Sequence, residues 1–322
     1  MEPEQVLDAW TTGLVTGVEL VPEGSVNRVF RVQTVQDTFY FRMYRIGDET
    51  VLEREVQVMA AARAGGVPVP MAVVTRSGAD WLALDGQLYM LFTAAEGTQV
   101  PRSELNHAHA TAAGECLARL HRALERLPDL GWRRYRIDFP LVEWLARLNA
   151  LEQAVSGLAA PDGTDVWALA RLRAQREWLA DPGCPHAAPL TGPRQVIHGD
   201  YHDGNLFFVG SATAFRVSGV IDWEQAAWMP RAFEPIRSAH YMFGHDPPLA
   251  SAFLNAYVPG LKMKRSEMQA AALVYGVQAD HNVWALEEAY LRGNARARRF
   301  IPHAQFRPFS SFWREVQERL QL

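Results

Sequence analysis

Cysteine is nearly absent from this chain. Its 322 residues include two, Cys116 and Cys184. They stand far apart and form no CxxC pair, which argues against structural zinc and a disulfide scaffold and fits a reducing compartment. Long apolar runs are missing as well, and none approaches the roughly 20 residues of a membrane span. The N-terminus opens on Glu2-Pro3-Glu4, without the basic-then-apolar pattern of a secretion signal. Charge of one sign is not in large excess: the formal net charge is −4, which offers no bulk attraction to nucleic acid or to an anionic membrane. The expectation is a cytoplasmic globular protein that has neither nucleic acid nor membrane as a partner.

What is present is a well-packed composition, 48% apolar and 21% charged. The chain is longer than one ordinary core supports, so two lobes are expected. Residues 1–93 read as strand-rich with one helix. Residues 26–35 and 38–44 are β-branched and aromatic runs separated by Gln36-Asp37, as in a hairpin. Residues 49–64 contain no glycine or proline and stop at Gly65-Gly66, as a helix does. Residues 79–84 and 87–93 suggest a second hairpin about Asp85-Gly86. Beyond Gly97 the periodicity changes, and 107–125, 139–158, 166–179 and part of 266–292 read as helices. Between them, 195–209 and 215–223 are the only strand-like runs. The expected fold class is α+β: a small antiparallel-sheet N-lobe (1–93), a hinge (94–97) and a larger, mainly helical C-lobe (98–322).

The chemistry concentrates in Ile197-His198-Gly199-Asp200-Tyr201-His202-Asp203-Gly204-Asn205, followed by Asp222 at the end of the apolar run 217–221. Phosphoryl transfer needs such a set. One carboxylate orients an acceptor hydroxyl and takes its proton, while an amide oxygen and a second carboxylate hold magnesium against the phosphates. Asp200 is the candidate base, Asn205 and Asp222 are the candidate metal ligands, and His198 orders the loop through backbone hydrogen bonds. Ordinary turns also use Asp, Gly and Asn freely, but a turn does not require Asp222 at the end of a second apolar run. A metal-dependent hydrolase would instead take His198 and His202, with Asp200 or Asp203, as zinc ligands. Gly199 and Gly204 argue against the helix that would put both histidines on one face.

The constellation resembles the aminoglycoside phosphotransferase and choline kinase family, of protein-kinase-like fold. That family's loop reads HxDxxxxN, and its metal aspartate lies in an Ile-Asp-Trp or Ile-Asp-Phe segment; here these are His198, Asp200 and Asn205, then Ile221-Asp222-Trp223. The likeness covers most of the chain. Glu23-Gly24-Ser25-Val26-Asn27-Arg28-Val29-Phe30 is similar to the family's phosphate-covering turn, and Tyr40-Phe41-Arg42-Met43-Tyr44 to its third strand. Glu53-Arg54-Glu55-Val56 resembles the start of its ion-pair helix, Leu91-Phe92-Thr93-Ala94-Ala95-Glu96-Gly97 its hinge, and Leu117-Ala118-Arg119-Leu120-His121 a helix of its second lobe.

The resemblance implies ATP and Mg2+ as cofactors in a cleft between the lobes, and transfer of the γ-phosphoryl to a hydroxyl of a small acceptor of aminoglycoside, amino alcohol or sugar type. It implies that Arg42 contacts the α- and β-phosphates and pairs with Glu55, where the family often has lysine. Ser25 and Asn27 would serve the phosphate turn, although the chain has no GxGxxG there, and Phe92 and Ala94 would meet adenine. Taken alone, Arg42 is also consistent with a solvated cation on a strand, and Glu53 competes with Glu55.

By the same resemblance, Trp223, Glu224, Glu234 and Asp280, with Glu287 and Trp228, are candidates for the acceptor site: acids for an ammonium or hydroxyls, rings for stacking. The alternative for each is structural, with Glu234 and Arg237 as an ion pair and the tryptophans in the core. The run Arg292, Arg296, Arg298 and Arg299 reads as a solvated helix end. A nucleotide-binding regulator without turnover competes with the enzyme reading, but such a regulator need not retain Asp200, Asn205 and Asp222 together.

Overall fold

Side-chain alternation along a few strands decides the architecture of the N-terminal part. The computed structural model describes residues 3–21, 27–45, 47–129, 131–211, 214–244 and 246–321. Six strands there form one sheet: β1 (Val15–Leu20), β2 (Arg28–Thr34), β3 (Thr38–Tyr44), β4 (Ala72–Val73), β5 (Leu82–Leu84) and β6 (Gln87–Thr93). Their order is β1-β2-β3-β6-β4, with β5 beside β6, and every pairing is antiparallel. Successive side chains point to opposite faces. Phe30, Val32, Phe41, Tyr89 and Leu91 turn one way and cluster with Trp10 and with Val6 and Leu7 of α1 (Pro3–Leu7). Tyr44, Leu88 and Met90 turn the other way and pack on Leu52 of α2 (Glu49–Ala64). Full burial of each such side chain contributes about 1.5–3 kcal/mol.

Both expected hairpins form. Asp85 (φ 51°) and Gly86 (φ 75°) are left-handed, the turn geometry that matches strand twist. α2 spans the residues expected and starts where Asp48 accepts the N–H of Thr50.

The chain divides into two compact units. The first is Met1–Arg133, Gln195–Trp228 and Asn255–Leu261, and the second is Arg134–Arg194, Met229–Leu254 and Lys262–Leu322. The boundary expected at 94–97 is not where the compact units part. α3 (His107–Leu124) and the hairpin of β8 (Leu206–Ser211) and β9 (Ala214–Val220) belong with the sheet. Main-chain bonds make the join: Thr98 and Phe208 exchange hydrogen bonds of 3.1 and 2.8 Å, and Val220 donates to the Pro68 carbonyl at 2.8 Å. The Ser218 hydroxyl donates to the Glu96 carbonyl at 2.6 Å. Gly97 sits here at φ 87°, and a Cβ on it would lie 2.3 Å from the Phe208 oxygen. Only glycine fits so close an approach.

Strand β7 (Arg194–Ile197) leads into the loop that carries His198 and Asp200. The second unit is mainly helical, with α4 (Leu141–Ser156), α5 (Gly163–Leu179), α6 (Phe233–Phe243), the first part of α7 (Pro247–Leu261), α8 (Arg265–Asp280), α9 (Trp284–Tyr290) and α10 (Phe309–Gln317). Leu148, Leu151, Leu172, Leu179 and Leu286 form its core where α4, α5 and α9 meet. The stretch 266–292, expected to supply at least one helix, carries two that part after Asp280. Strands β1 and β10 (Ala227–Pro230) carried no strand signal, because β1 is interrupted by Gly17 and β10 is short and ends in proline. Among the described residues no helix is long and apolar enough to cross a membrane.

Candidate active site

The chemical groups sit on strand β3 and just beyond the ends of β7 and β9. His198 follows β7 and is fully buried. Its Nε2 donates to the Ile221 carbonyl at 3.0 Å, while its Nδ1 accepts the Asp200 N–H at 3.2 Å. The ring is therefore the neutral Nε2–H tautomer. Both of these bonds go to backbone. With both nitrogens committed to backbone, it is not a zinc ligand, and the hydrolase reading loses its first ligand. Gly199 adopts φ 84°, and a Cβ there would stand 2.0 Å from the Gln225 carbonyl oxygen. The Tyr201 hydroxyl donates to the Ala113 carbonyl at 2.9 Å, fastening the loop to α3.

Asn205 donates through Nδ2 to the Asp200 carbonyl at 2.9 Å and to Asp200 Oδ2 at 3.3 Å. Its own amide oxygen points the opposite way, as a planar amide requires. Its N–H partner across the hairpin is fixed too, since Ile221 N–H donates to the Asn205 carbonyl at 3.0 Å. Asp222 comes next, in a left-handed conformation (φ 66°). A non-glycine residue there costs about 1–3 kcal/mol, a strain typical of ligand sites.

Strand β3 presents Arg42, whose side chain is 12% exposed. Its Nη1 meets Glu55 Oε1 at 3.2 Å, and its Nη2 meets Asp222 Oδ1 and Glu224 Oε2, each at 2.8 Å. The reading of Arg42 as a solvated cation is thus replaced by an ion-pair network. Glu55, not the exposed Glu53, is the helix partner, and it also accepts the Tyr44 hydroxyl at 2.9 Å. Asn27 donates to Glu224 Oε2 at 2.6 Å and accepts the Arg45 N–H at 3.0 Å. It braces strand ends and Glu224. Ser25 lies outside the described residues.

Burial opposes the charge on Arg42, but Tyr44, Glu55, Asp222 and Glu224 overcome it and hold its pKa well above the ordinary value. Burial also lifts Glu55 and Glu224 above the usual carboxylate range, against the pull of Arg42. Arg42 Nε is buried with no hydrogen-bond partner among the described residues. That orphaned donor suits a phosphate oxygen. The Asn205 amide and the Asp222 carboxylate are hard oxygen donors of the kind Mg2+ takes.

These groups border a cavity of about 540 Å³, a volume ordinary for small-molecule sites. It occupies the part of the α2-facing side of the sheet that α2 leaves uncovered. Tyr40, Met59, Phe92 and Phe207 supply apolar lining, while Arg42, Glu55, Asn205, Asp222 and Glu224 supply polar lining. Thr93 and Ala95 line it, but Ala94 does not; the Ala94 N–H is given to the Thr38 carbonyl at 3.3 Å. The hinge expectation therefore moves to the flanking residues.

The acceptor candidates fare differently. Glu224 is drawn to Arg42 and Asn27. The Trp223 side chain is 2% exposed, packs on His198 at 4.5 Å between centroids and donates to the Val220 carbonyl, while the residue also borders the cavity. In the second unit, Glu234 is fully buried on α6. Asp280 accepts from Trp178 Nε1 at 3.0 Å and from the Phe309 N–H at 2.8 Å, and Glu287 pairs with Arg147. The Asp280 and Glu287 carboxylates are thus engaged by neighbouring side chains and backbone. The sequence reading did not assign Tyr40 to the site, although period-two alternation already placed it on the face of Arg42.

The profile of APH, the phosphotransferase enzyme family, matches residues 17–269. The chain is similar to homoserine kinase of Bradyrhizobium diazoefficiens, 28% identical over 293 residues that cover 83% of this chain and 77% of that protein. It is similar to homoserine kinase of Rhodopseudomonas palustris (strain BisA53), 29% identical over 294 residues that cover 84% and 78%. Among solved structures it resembles spectinomycin phosphotransferase APH(9)-Ia in complex with ADP and spectinomycin, with a TM-score of 0.69 at 10% identity over 98% of this chain and 97% of that one. It also resembles the microcompartment-associated aminopropanol kinase, with a TM-score of 0.61 at 17% identity over 98% and 97%. These structural likenesses are of fold, and the fold is protein-kinase-like.

Proposed function

The chain belongs to the phosphotransferase enzyme family, and on that premise we propose that it transfers the γ-phosphoryl group of ATP to a hydroxyl of a small amino alcohol, homoserine being the first to test. The observation that supports the reaction type is the convergence of Asn205, Asp222 and Arg42 on one cavity, with Asp200 bonded to Asn205 beside it. The acceptor class draws support from relatives named homoserine kinase and a fold neighbour named aminopropanol kinase. Both acceptors carry an amine and a hydroxyl.

In this reading Asp200 orients the acceptor hydroxyl and takes its proton. Asn205 and Asp222 hold Mg2+, which when bound neutralises charge on the phosphates. Arg42 directs its guanidinium at the phosphates from β3, kept in place by Glu55. Tyr40 and Phe92 offer an apolar bed to the nucleobase. Positioning and charge complementarity do most of the work, and no covalent intermediate on the protein is needed.

The test is ADP formation by the purified protein with ATP and Mg2+ across homoserine, aminopropanol, choline and several aminoglycosides. Turnover should be fastest with an amino alcohol. Asp200→Asn should lower it by about 10³-fold while sparing nucleotide binding measured by calorimetry. Full turnover by that variant overturns the assignment of the base, and nucleotide binding without consumption for any acceptor favours the regulator.

A further inference from the structure

We infer that His202 is a positioning residue for Asp200, holding the carboxylate by its Oδ2 so that the acceptor hydroxyl meets it in one orientation. The inference rests on the reading of Asp200 as the proton acceptor.

His202 lies in the same loop, just before the short turn Asp203–Asn205. The Gly204 N–H donates to His202 Nδ1 at 3.0 Å. An N–H can engage only an unprotonated ring nitrogen, so the neutral imidazole carries its proton on Nε2. That nitrogen lies 3.3 Å from Asp200 Oδ2. Asn205 Nδ2 donates to the same oxygen at 3.3 Å, and the two donor nitrogens are 3.4 Å apart. Two nitrogens against one oxygen restrain the carboxylate's rotation about its Cβ–Cγ bond, while the Asn205 bond to the Asp200 carbonyl holds the backbone.

Other contacts fit this arrangement. A Cβ on Gly204 would stand 2.9 Å from His202 Cε1, so the absence of a side chain there admits the ring. Arg102 pairs with Asp203 at 3.0 Å, and Gln99 donates to the Gly204 carbonyl, steadying the turn from outside. The His202 and Asp200 side chains are 18% and 26% exposed, so water competes for the bond only in part. Neither residue lines the nucleotide cavity. The effect of His202 therefore falls on the chemical step and not on nucleotide binding.

The test compares His202→Ala, His202→Gln and Asp200→Asn for kcat, for KM of ATP and for Tm. His202→Ala should lower kcat on the order of 10- to 100-fold and leave the KM for ATP within about twofold. His202→Gln, which keeps an N–H donor near the Nε2 position, should recover most of the loss. An inert Asp200→Asn beside an unimpaired His202→Ala overturns the inference and leaves the base assignment standing. Equal loss in both His202 variants, with a falling Tm and a rising KM for ATP, marks a merely structural histidine and overturns it as well. Activity in Asp200→Asn removes the base reading and the inference together.

Discussion

Arg42 and Glu224 share a hydrogen bond of 2.8 Å, and the same guanidinium nitrogen meets Asp222 at 2.8 Å. Asn27 donates to the same Glu224 oxygen, Oε2, at 2.6 Å. If Arg42 meets the phosphates as proposed, Glu224 acts at the nucleotide end of the site. Glu224→Gln removes a charge-assisted bond worth about 1.5–3 kcal/mol and should raise the KM for ATP while leaving the acceptor KM unchanged. Steady-state kinetics with each substrate varied in turn decides it, and a change confined to the acceptor KM would return Glu224 to the acceptor site.

Arg42 also neutralises Glu55, whose side chain is 2% exposed. Arg42→Met leaves that carboxylate buried beside Asp222 and Glu224 without its cation. Breaking such a pair costs about 3–5 kcal/mol, which urea unfolding should register as a lowered midpoint with unchanged slope. Arg42→Lys keeps the charge but not the two-pronged reach, so it should fold better than the methionine variant and still bind ATP more weakly than the parent.

A third expectation concerns pH and two neighbours in the second unit. Burial lowers His281 from 6.5 to about 4, where its nitrogens face the Val277 carbonyl and His186. Burial raises Asp280 from 3.8 to about 6, with the Phe309 N–H, Trp178 and Arg171 acting against the rise. The signs oppose. As pH falls from 6.5 to about 4, the unfolded chain protonates His281 first and stability is lost. Over much the same range the folded state protonates Asp280 first, and stability is gained as pH falls from about 6 toward 3.8. Each contribution is about 3 kcal/mol at 1.36 kcal/mol per pKa unit, so the two nearly cancel. Asp280→Asn should uncover the histidine's loss as a steeper fall of the urea midpoint between pH 6.5 and 4, and an identical pH profile in variant and parent would contradict this pairing.

A fourth concerns Gly199, where main chain approaches main chain. Gly199→Ala forces a methyl against the Gln225 carbonyl in a left-handed conformation. The expected cost is about 2 kcal/mol or more, read as a lowered Tm together with loss of turnover, because the loop that carries Asp200 has to shift.

Much of this was legible because the chemistry is local in sequence. His198, Asp200 and Asn205 lie within one loop, and the helix over 49–64 is bounded by Asp48 and Gly65 and contains no breaker. Long-range partners left no such trace. Glu224 lies 182 residues from Arg42 and 197 from Asn27, and nothing in the pattern of a Trp-Glu-Gln segment names partners so distant. The tie between Thr98 and Phe208 left no trace for the same reason, since it is made by main-chain bonds that no side chain advertises. Asp280 and Trp223 looked available for a substrate because burial of a single acid or ring depends on packing from other elements.

The Ile221 peptide accepts His198 at its oxygen and gives its N–H to Asn205, both at 3.0 Å. The distance between the loop that carries Asp200 and the aspartate at 222 is therefore set by main chain and one sequestered imidazole. Substitutions that reshape an acceptor pocket leave that distance alone. A lineage built on this frame can trade one hydroxylated substrate for another while inheriting its phosphoryl chemistry unchanged.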